Sequence, residues 1–186
     1  MRRKDREMGK EFGLQIIDKA RFGVLSAAVE KESYSIPLSI ARSGETLYFH
    51  SAMEGTKVEV FRNAPIATVV FVGDVKVPEN FSEEELREMA SDEKKAVELI
   101  RKVFTTEYES CIIKGPLRLV KEKGEEEEGH RAICEKFTPS KMDYFDIALK
   151  AGLHRTNIYA IDIEEITAKR KKYDASGEEM KFQRML

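Results

Sequence analysis

Three short β-like segments joined by two polar turns most limit what this chain can fold into. Residues 23–29 are mainly small and β-branched, and residues 34–41 and 46–51 form two further strand-like segments. The connections, residues 30–33 and 43–45, are short and polar. Because strands joined by tight turns pair antiparallel, these segments predict an antiparallel meander near the N-terminus.

Three later segments, residues 67–77, 108–120 and 157–166, are also strand-like and complete a set of six predicted strands. Helical patterns occupy residues 5–21, 56–62, 82–104, 125–137 and 140–151. Ser82 and Glu85 match a capping box at the start of the third of these, and Gly115 and Pro116 predict a bend in the strand 108–120. The strands neither alternate regularly with the helices nor show the continuous apolar character of parallel strands. The sequence therefore predicts a mainly β (α+β) fold, an antiparallel barrel with peripheral helices.

Composition indicates one globular domain. Of the 186 residues 41% are hydrophobic, enough for a core, and the sequence has neither a Gly/Ser-rich linker nor an internal repeat. We expect a single domain over residues 1–186, with a helical insertion at about 78–106 and a basic tail at about 171–186. The 32 Lys and Arg against 34 Asp and Glu give a net charge of −2. This balance argues against a dedicated nucleic-acid or membrane-surface binder.

The sequence also favours a cytoplasmic location. No apolar run approaches the roughly 20 residues that a membrane-spanning helix needs. The N-terminal segment is charged and lacks the apolar stretch of a signal peptide. Cys111 and Cys134 show no CxxC spacing, so we interpret them as reduced thiols.

Neither a metal site nor a catalytic residue is evident. The three histidines, His50, His130 and His154, lie far apart and lack metal-ligand spacing. The glutamate run at 125–128 is interpreted as a solvated helix start, where the helix dipole favours negative charge. The sequence motifs of serine hydrolases, zinc proteases and phosphate-binding loops are absent, so the catalytic residues stay unknown.

The segment 48–57, YFHSAMEGTK, is the strongest candidate for a binding site. It places a strand end, a turn with Gly55, a helix start and a lysine within ten residues. Thr56 and Glu59 match a capping box, which predicts Lys57 at the first helical position. Free N–H groups and the helix dipole at such a start attract an anion, and His50 and Ser51 add possible donors. The alternative is an ordinary hairpin-to-helix turn with a surface lysine.

Pro37 is the second informative residue. Proline cannot donate a hydrogen bond to a sheet, so the strand that contains it is predicted to lie at an edge, to contain a bulge, or to face something other than a strand.

These stretches resemble a known family. The strings YSIPLSIARSGETLYF and YFHSAMEGTK are similar to the pyridoxamine 5′-phosphate oxidase-like FMN-binding split-barrel superfamily, closest to its nitroimidazole-resistance (Nim) branch. The HSA-x-x-G-x-K element carries most of the resemblance. Residues 108–115, 155–159 and 163–170 add weaker matches, so that the resemblance spans about residues 12–173.

The resemblance implies a six-stranded antiparallel Greek-key split β-barrel that works as a homodimer, with two FMN molecules in the grooves between the protomers. The residues that would line the flavin ring and ribityl chain are Pro37, Leu38 and Ser39. Those implied at the ribityl and phosphate end are His50, Ser51, Ala52, Thr56 and Lys57. Ser110 and Lys169 match positions from which such proteins reach the flavin across the dimer interface.

Departures from the family pattern affect the expected activity. Thr56 stands where Nim proteins commonly have histidine and the oxidases arginine, so only a hydroxyl contact to phosphate is possible there. The arginine-rich C-terminal signature of true pyridoxamine phosphate oxidases is missing, and Arg184 alone does not replace it. Vitamin B6 oxidation is therefore disfavoured.

The resemblance favours an FMN-dependent oxidoreductase, with nitroaromatic reduction as the preferred class. In such a protein the flavin performs the electron or hydride transfer, while the chain binds and orients it. Two alternatives stay open on the sequence. One is a flavin carrier or sensor without turnover, and the other is a scaffold that binds another ligand such as haem.

Overall fold

The computed structural model describes residues 2–29, 32–152 and 155–181. The strands are β1 (Glu7–Met8), β2 (Gly23–Val29), β3 (Glu32–Leu38), β4 (Ala41–Ser43), β5 (Thr46–Ala52), β6 (Ile66–Lys76), β7 (Glu107–Leu119), β8 (Thr156–Asp162) and β9 (Glu165–Lys171). The α-helices are α1 (Lys10–Lys19), α2 (Thr56–Asn63), α3 (Glu83–Ala90), α4 (Glu93–Glu98), α5 (Lys123–Phe137) and α6 (Phe145–Gly152). Short 3₁₀ turns cover Lys4–Arg6 and Pro139–Tyr144, and Leu99–Val103 is π-helical. Residues 30 and 31 of the first predicted turn, His154 and Arg184 lie outside the described residues.

The strands form one antiparallel sheet with the order β3-β2-β6-β7-β8-β5-β4, and β9 pairs with β7 and β1. The consecutive strands β3 and β4 lie at opposite ends of this path, because the chain leaves the sheet at Ser39 and Ile40. The sheet is therefore open along the edge between β3 and β4. This arrangement confirms the predicted mainly β, split-barrel fold class. It also confirms Pro37 on an edge strand.

Strand β7 joins the two parts of the sheet. Its first half pairs with β9 from Tyr108 to Lys114, and its end pairs with β8 from Leu117 to Leu119. The change of partner coincides with the predicted bend at Gly115 and Pro116. A Cβ atom on Gly115 would fall 1.7 Å from the carbonyl oxygen of Asp162, so only glycine lets the strands approach this closely.

Helix α2 fills the open side of the barrel. Its Phe61 is buried and makes edge-to-face contacts with Tyr34 on β3, Phe49 on β5 and Tyr159 on β8. The ring centroids lie 6.2, 5.5 and 5.3 Å from that of Phe61. Because β3 and β5 are not hydrogen-bonded to each other, these aromatic contacts hold the two sides together.

The remaining helices cover other faces of the sheet. Helix α1 buries Ile16 and Ile17 completely in the main core, against β6, β7 and β9. Helix α5 packs on β4, β5 and β8, where Ile133 joins a smaller core with Tyr48 and Ile158. No helix among the described residues is long and apolar enough to cross a membrane.

Several element boundaries differ from those predicted. The described chain has nine strands where the sequence indicates six, because β1 and β4 are short additions and the segment 157–166 ends at a break before β9. Lys169 lies in β9, which continues to Lys171, the first residue of the predicted basic tail. The predicted helix over 82–104 consists of α3, α4 and the π-helical turn, although the capping box between Ser82 and Glu85 is confirmed. The first helix begins only at Lys10.

The capping box predicted at Thr56 is wrong. The N-cap residue of α2 is Gly55, which has a positive φ of 110°, and Thr56 is the first helical residue. Glycine adopts this backbone conformation at little cost, so it takes the cap position. Lys57 is consequently the second residue of the helix and not the first.

Lys136, half-buried on α5, links this helix to α1 and to the connection between β3 and β4. Its Nζ donates hydrogen bonds to the carbonyl oxygens of Ile17 and Ile40, at 2.7 and 2.8 Å. Burial lowers the pKa of Lys136 to about 8, because removal from water disfavours the charged form.

This shift predicts a stability that rises with pH above about 8. Between pH 8 and the pKa of an exposed lysine, about 10.4, the unfolded chain carries a proton at Lys136 that the folded chain has lost. The free energy of unfolding of the wild type, measured relative to that of a Lys136→Met variant, should therefore increase with pH. The increase should be less than about 1.4 kcal/mol per pH unit. Urea titrations of both proteins at pH 7, 8, 9 and 10 measure this difference. A constant difference across the series would contradict the assignment.

Candidate functional site

The predicted site residues fall into two groups. Pro37, Ser110 and Lys169 lie on the outer face of the sheet that carries β3, β2, β6, β7 and β9. A second group lies at the end of β5 and the start of α2, and consists of His50, Ser51, Ala52, Thr56 and Lys57. Leu38 pairs with Gly23 and packs against the main core, and Ser39 follows it as an exposed residue.

Register brings the first group onto one surface. Pro37 pairs with Val24, Val24 with Val70, and Val70 with Ile112, so these four side chains form one row across four strands. Residues that are paired across neighbouring strands point to the same face of a sheet.

The adjacent row lies two residues further along each strand and on the same face. In it Ser110 pairs with both Val72 and Lys169. The Lys169 Nζ lies 5.5 Å from the ring centroid of Tyr108.

These two rows expose apolar surface to an unusual degree. Val24, Val72 and Ile112 are 41%, 52% and 44% exposed, although they occupy the middle of a sheet. A contiguous apolar patch that is exposed on a protein surface marks a site that binds a ligand or a partner. We call the face formed by Pro37, Val24, Val70, Ile112 and the neighbouring row the outer sheet face.

At the end of β5, successive side chains point to opposite sides. Ser51 is buried and its Oγ donates a hydrogen bond to the carbonyl oxygen of Ala52, at 2.8 Å. His50 points to the other side, where it shares a pocket of about 280 Å³ with His130 and Cys134. Burial lowers the pKa of His50, and the positive charge of Lys57 lowers this pKa further. His50 is therefore a neutral imidazole near pH 7.

The start of α2 provides the features of an anion site. The carbonyl oxygen of Gly55 accepts from the N–H groups of Val58 and Glu59, at 2.9 and 3.3 Å. No side chain of the described residues caps this helix start. Thr56 is exposed and Lys57 is half-buried, and Lys57 forms no ion pair within the described part of the chain. The positive end of the helix and a cation therefore occur together without an acidic partner.

A groove of about 1010 Å³ lies between β3 and α2, and it is lined by Thr56 of the second group. Ser33 and Tyr34 of β3 form one wall, and Thr56 and Val60 of α2 form the other. From Ser33 the edge strand continues to Pro37, a distance of about 13 Å at ~3.3 Å per residue. The groove therefore separates the start of α2 from the edge strand that carries Pro37, and the carboxyl groups of Glu32 and Glu59 also line it.

This arrangement fits a flavin mononucleotide. A phosphate needs a cation and N–H donors, which the start of α2 supplies through Lys57 and the free helix end. A flat aromatic ring needs an apolar surface with polar groups at its margin. Pro37 lies on the edge strand β3, and Ser110 and Lys169 are polar groups on the outer sheet face. Within the described part of the site, the Ser51 hydroxyl donates to the carbonyl oxygen of Ala52 and not to a side-chain base.

Sequence reasoning missed the apolar rows and the role of Phe61. The rows could have been found from the alternation of side chains along β2 and β7. In these strands Val24 and Ile112 alternate with core residues and therefore point to the other face of the sheet. That alternation identifies a face only once the register between distant strands is known. His130 was also missed as a neighbour of His50.

The sequence profile of the pyridoxamine 5′-phosphate oxidase family matches residues 13–170. No curated protein shows significant sequence similarity to the chain.

Three solved structures with the same fold are similar to this chain. A candidate 5-nitroimidazole antibiotic resistance protein from Bacteroides thetaiotaomicron is 18% identical, with a TM-score of 0.65 over 88% of this chain and 86% of that one. An FAD- and haem-binding protein from Mycobacterium smegmatis is 14% identical, with a TM-score of 0.68 over 89% and 73%. An FAD-binding protein from Mesorhizobium loti is 18% identical, with a TM-score of 0.55 over 90% and 98%.

Proposed function

The chain belongs to the pyridoxamine 5′-phosphate oxidase family, and from this premise we propose that it is an FMN-binding oxidoreductase that acts as a homodimer. The observation that carries the proposal is the occurrence of two features suited to ligand binding in the same chain. One is the unpaired Lys57 at the start of α2, and the other is the exposed outer sheet face.

The residues have separate tasks in this proposal. Lys57, the N–H groups at the start of α2 and the Thr56 hydroxyl bind the phosphate. Pro37, Leu38 and Ser39 orient the ribityl chain and ring through the free backbone edge of β3. Ser51 and Ala52 border the ribityl end, and neutral His50 adds a hydrogen-bonding group beside Lys57. Bound FMN supplies the electron or hydride transfer.

The outer sheet face supports a second copy of the chain as the partner. Its exposed valine and isoleucine side chains would leave water in a twofold, self-complementary interface. Ser110 and Lys169 lie on this face, so each copy would present them to the flavin groove of the other.

We expect that Ile112→Asp converts the dimer to monomers, because a charge in the centre of an apolar interface has no partner there. Ile147→Asp is the matched control, since Ile147 is 74% exposed on α6, away from the outer sheet face. Light scattering at micromolar concentration should give a dimer for wild type and control and a monomer for Ile112→Asp. A wild-type monomer that still holds flavin would refute this arrangement.

Nitroaromatic reduction is the proposed reaction class. It is supported by the Nim-like HSA-x-x-G-x-K element and by the shared fold with the candidate nitroimidazole resistance protein. Pyridoxamine 5′-phosphate is disfavoured as substrate, because the described residues near the C-terminus contain no arginine cluster.

An anaerobic absorption experiment tests the function. The purified protein should show flavin bands that bleach with a nicotinamide donor and return when a 5-nitroimidazole is added. Bleaching without recovery would indicate a carrier or sensor. A Soret band in place of the flavin bands would indicate a haem protein and overturn the proposal.

A further inference from the structure

A second groove lies on the other side of α2. It has a volume of about 710 Å³ and runs between α2 and the ends of β7 and β8. Its walls include Arg62 of α2, Lys121 after β7 and Asn157 of β8. The proposed flavin site uses the opposite flank of the helix, where Thr56 and Val60 lie.

The charge of this groove is unusual for a chain with a net charge of −2. Of the described residues that line it, Arg62, Arg118 and Lys121 are basic and none is acidic. Arg118 is neutralised by Glu125 and Asp162, at 2.6 and 3.1 Å. Arg62 and Lys121 are exposed and form no ion pair within the described residues. Two positive charges are therefore available to a ligand.

The groove also offers apolar surface and a fixed amide. Met53 and Leu119 line it with 53% and 41% of their surface exposed, which is high for large apolar side chains beside a groove. The amide nitrogen of Asn157 donates a hydrogen bond to the carbonyl oxygen of Ala52, at 3.3 Å, which holds that side chain at the groove wall. Apolar walls with a few polar groups are typical of sites for small organic molecules.

The groove begins close to the proposed phosphate site. Met53 precedes the Gly55 turn by two residues, and Arg62 follows Lys57 by five residues along α2. At 1.5 Å per residue, Arg62 therefore lies only about 7.5 Å further along the helix than Lys57. Five residues also turn a helix by about 140°, so a ligand that contacts both Lys57 and Arg62 must pass around an end of α2.

From this geometry we infer that the groove binds a nucleoside phosphate. The phosphate pairs with Arg62 and Lys121, and the aromatic base lies against Met53 and Leu119. Arginine and lysine recognise phosphate through charge-assisted hydrogen bonds, and an aromatic base gains from burial against apolar side chains. The nucleoside phosphate could be a free nucleotide or the adenylate half of FAD. The second source rests on the proposed flavin site.

Equilibrium titration of AMP into the full-length protein tests the inference. Arg62→Gln combined with Lys121→Gln should weaken AMP binding about 10-fold or more, and Lys150→Gln, an exposed lysine on α6, should leave it unchanged. Adenosine, which lacks the phosphate, should bind more weakly and equally to all three proteins. Failure of AMP to bind the wild type, equal AMP affinity in the double variant, or inorganic phosphate binding as tightly as AMP would overturn the inference.

Loading the protein with FMN or FAD distinguishes the two sources. If the groove holds the adenylate half of FAD, AMP binds to the FMN-loaded protein but not to the FAD-loaded one. In that case the double variant also binds FAD more weakly but binds FMN as tightly as the wild type does. If the ligand is a free nucleotide, AMP binds to both loaded forms. A protein that binds neither flavin would contradict the proposed function, while AMP binding to the flavin-free chain would still support this groove.

Discussion

Replacing Phe61 by alanine should lower the free energy of unfolding by about 3–5 kcal/mol, the range for a buried phenylalanine. Phe61 is 3% exposed and contacts aromatic rings from β3, β5 and β8. Because these contacts bridge the open side of the barrel, the loss should exceed that of a core residue within one paired sheet. Urea denaturation followed by circular dichroism measures the change.

Phe104→Ala is the matched control, since Phe104 is 78% exposed. Exposed substitutions of this kind usually change stability by less than about 0.5 kcal/mol. An equal, small loss in both variants would mean that α2 does not hold the open side of the barrel together.

Replacing Gly115 by alanine should destabilise the fold by more than about 3 kcal/mol. The new methyl group would overlap the carbonyl oxygen of Asp162, a backbone atom that cannot move without breaking the contact between β7 and β8. Large losses of this type come from overpacking where the backbone cannot adjust. Thermal unfolding should show a strongly lowered midpoint or no folded protein.

Gly152→Ala serves as the comparison for Gly115→Ala. No described heavy atom lies within 4 Å of a Cβ at Gly152, which ends α6. Alanine there should be neutral or stabilising by up to about 1 kcal/mol. Similar midpoints for the two variants would contradict the close approach of β7 and β8.

The features that sequence reasoning predicted correctly are those with local signals. The Ser82 and Glu85 side chains cap the helix in which they lie. Pro37 has no N–H group to donate to a second neighbouring strand, so its strand lies at an edge of the sheet. The bend at Gly115 is indicated by the glycine itself, because a glycine within a strand often marks a bend. Local patterns also identified the antiparallel character of the sheet.

The features that were not predicted depend on contacts between distant segments. The break between β8 and β9 is held by the N–H of Ile163, which donates to the carbonyl oxygen of Glu45 at 2.8 Å. The cap of α2 was assigned to Thr56 because the T-x-x-E pattern is local, whereas the backbone places Gly55 there. The outer sheet face depends on the register of four strands, which short-range patterns do not specify.

The candidate site was likewise predicted in part from the sequence, while the rest depends on contacts between distant segments. The resemblance supplied its residues, and the fold places them in two groups, one with Lys57 at the start of α2 and one with Pro37, Ser110 and Lys169 on the outer sheet face. The groove between β3 and α2 became visible only in three dimensions. The roles of these residues stay predictions.

Titration of FMN and riboflavin into the flavin-free protein tests the central claim most directly, with wild type, Lys57→Ala and the exposed-lysine control Lys150→Ala compared. A charge-assisted contact to phosphate contributes roughly 1.5–3 kcal/mol, so Lys57→Ala should weaken FMN binding about 10- to 150-fold. Riboflavin lacks the phosphate and should bind all three proteins equally. An FMN dissociation constant that is unchanged in Lys57→Ala would remove the phosphate from the start of α2 and contradict the account.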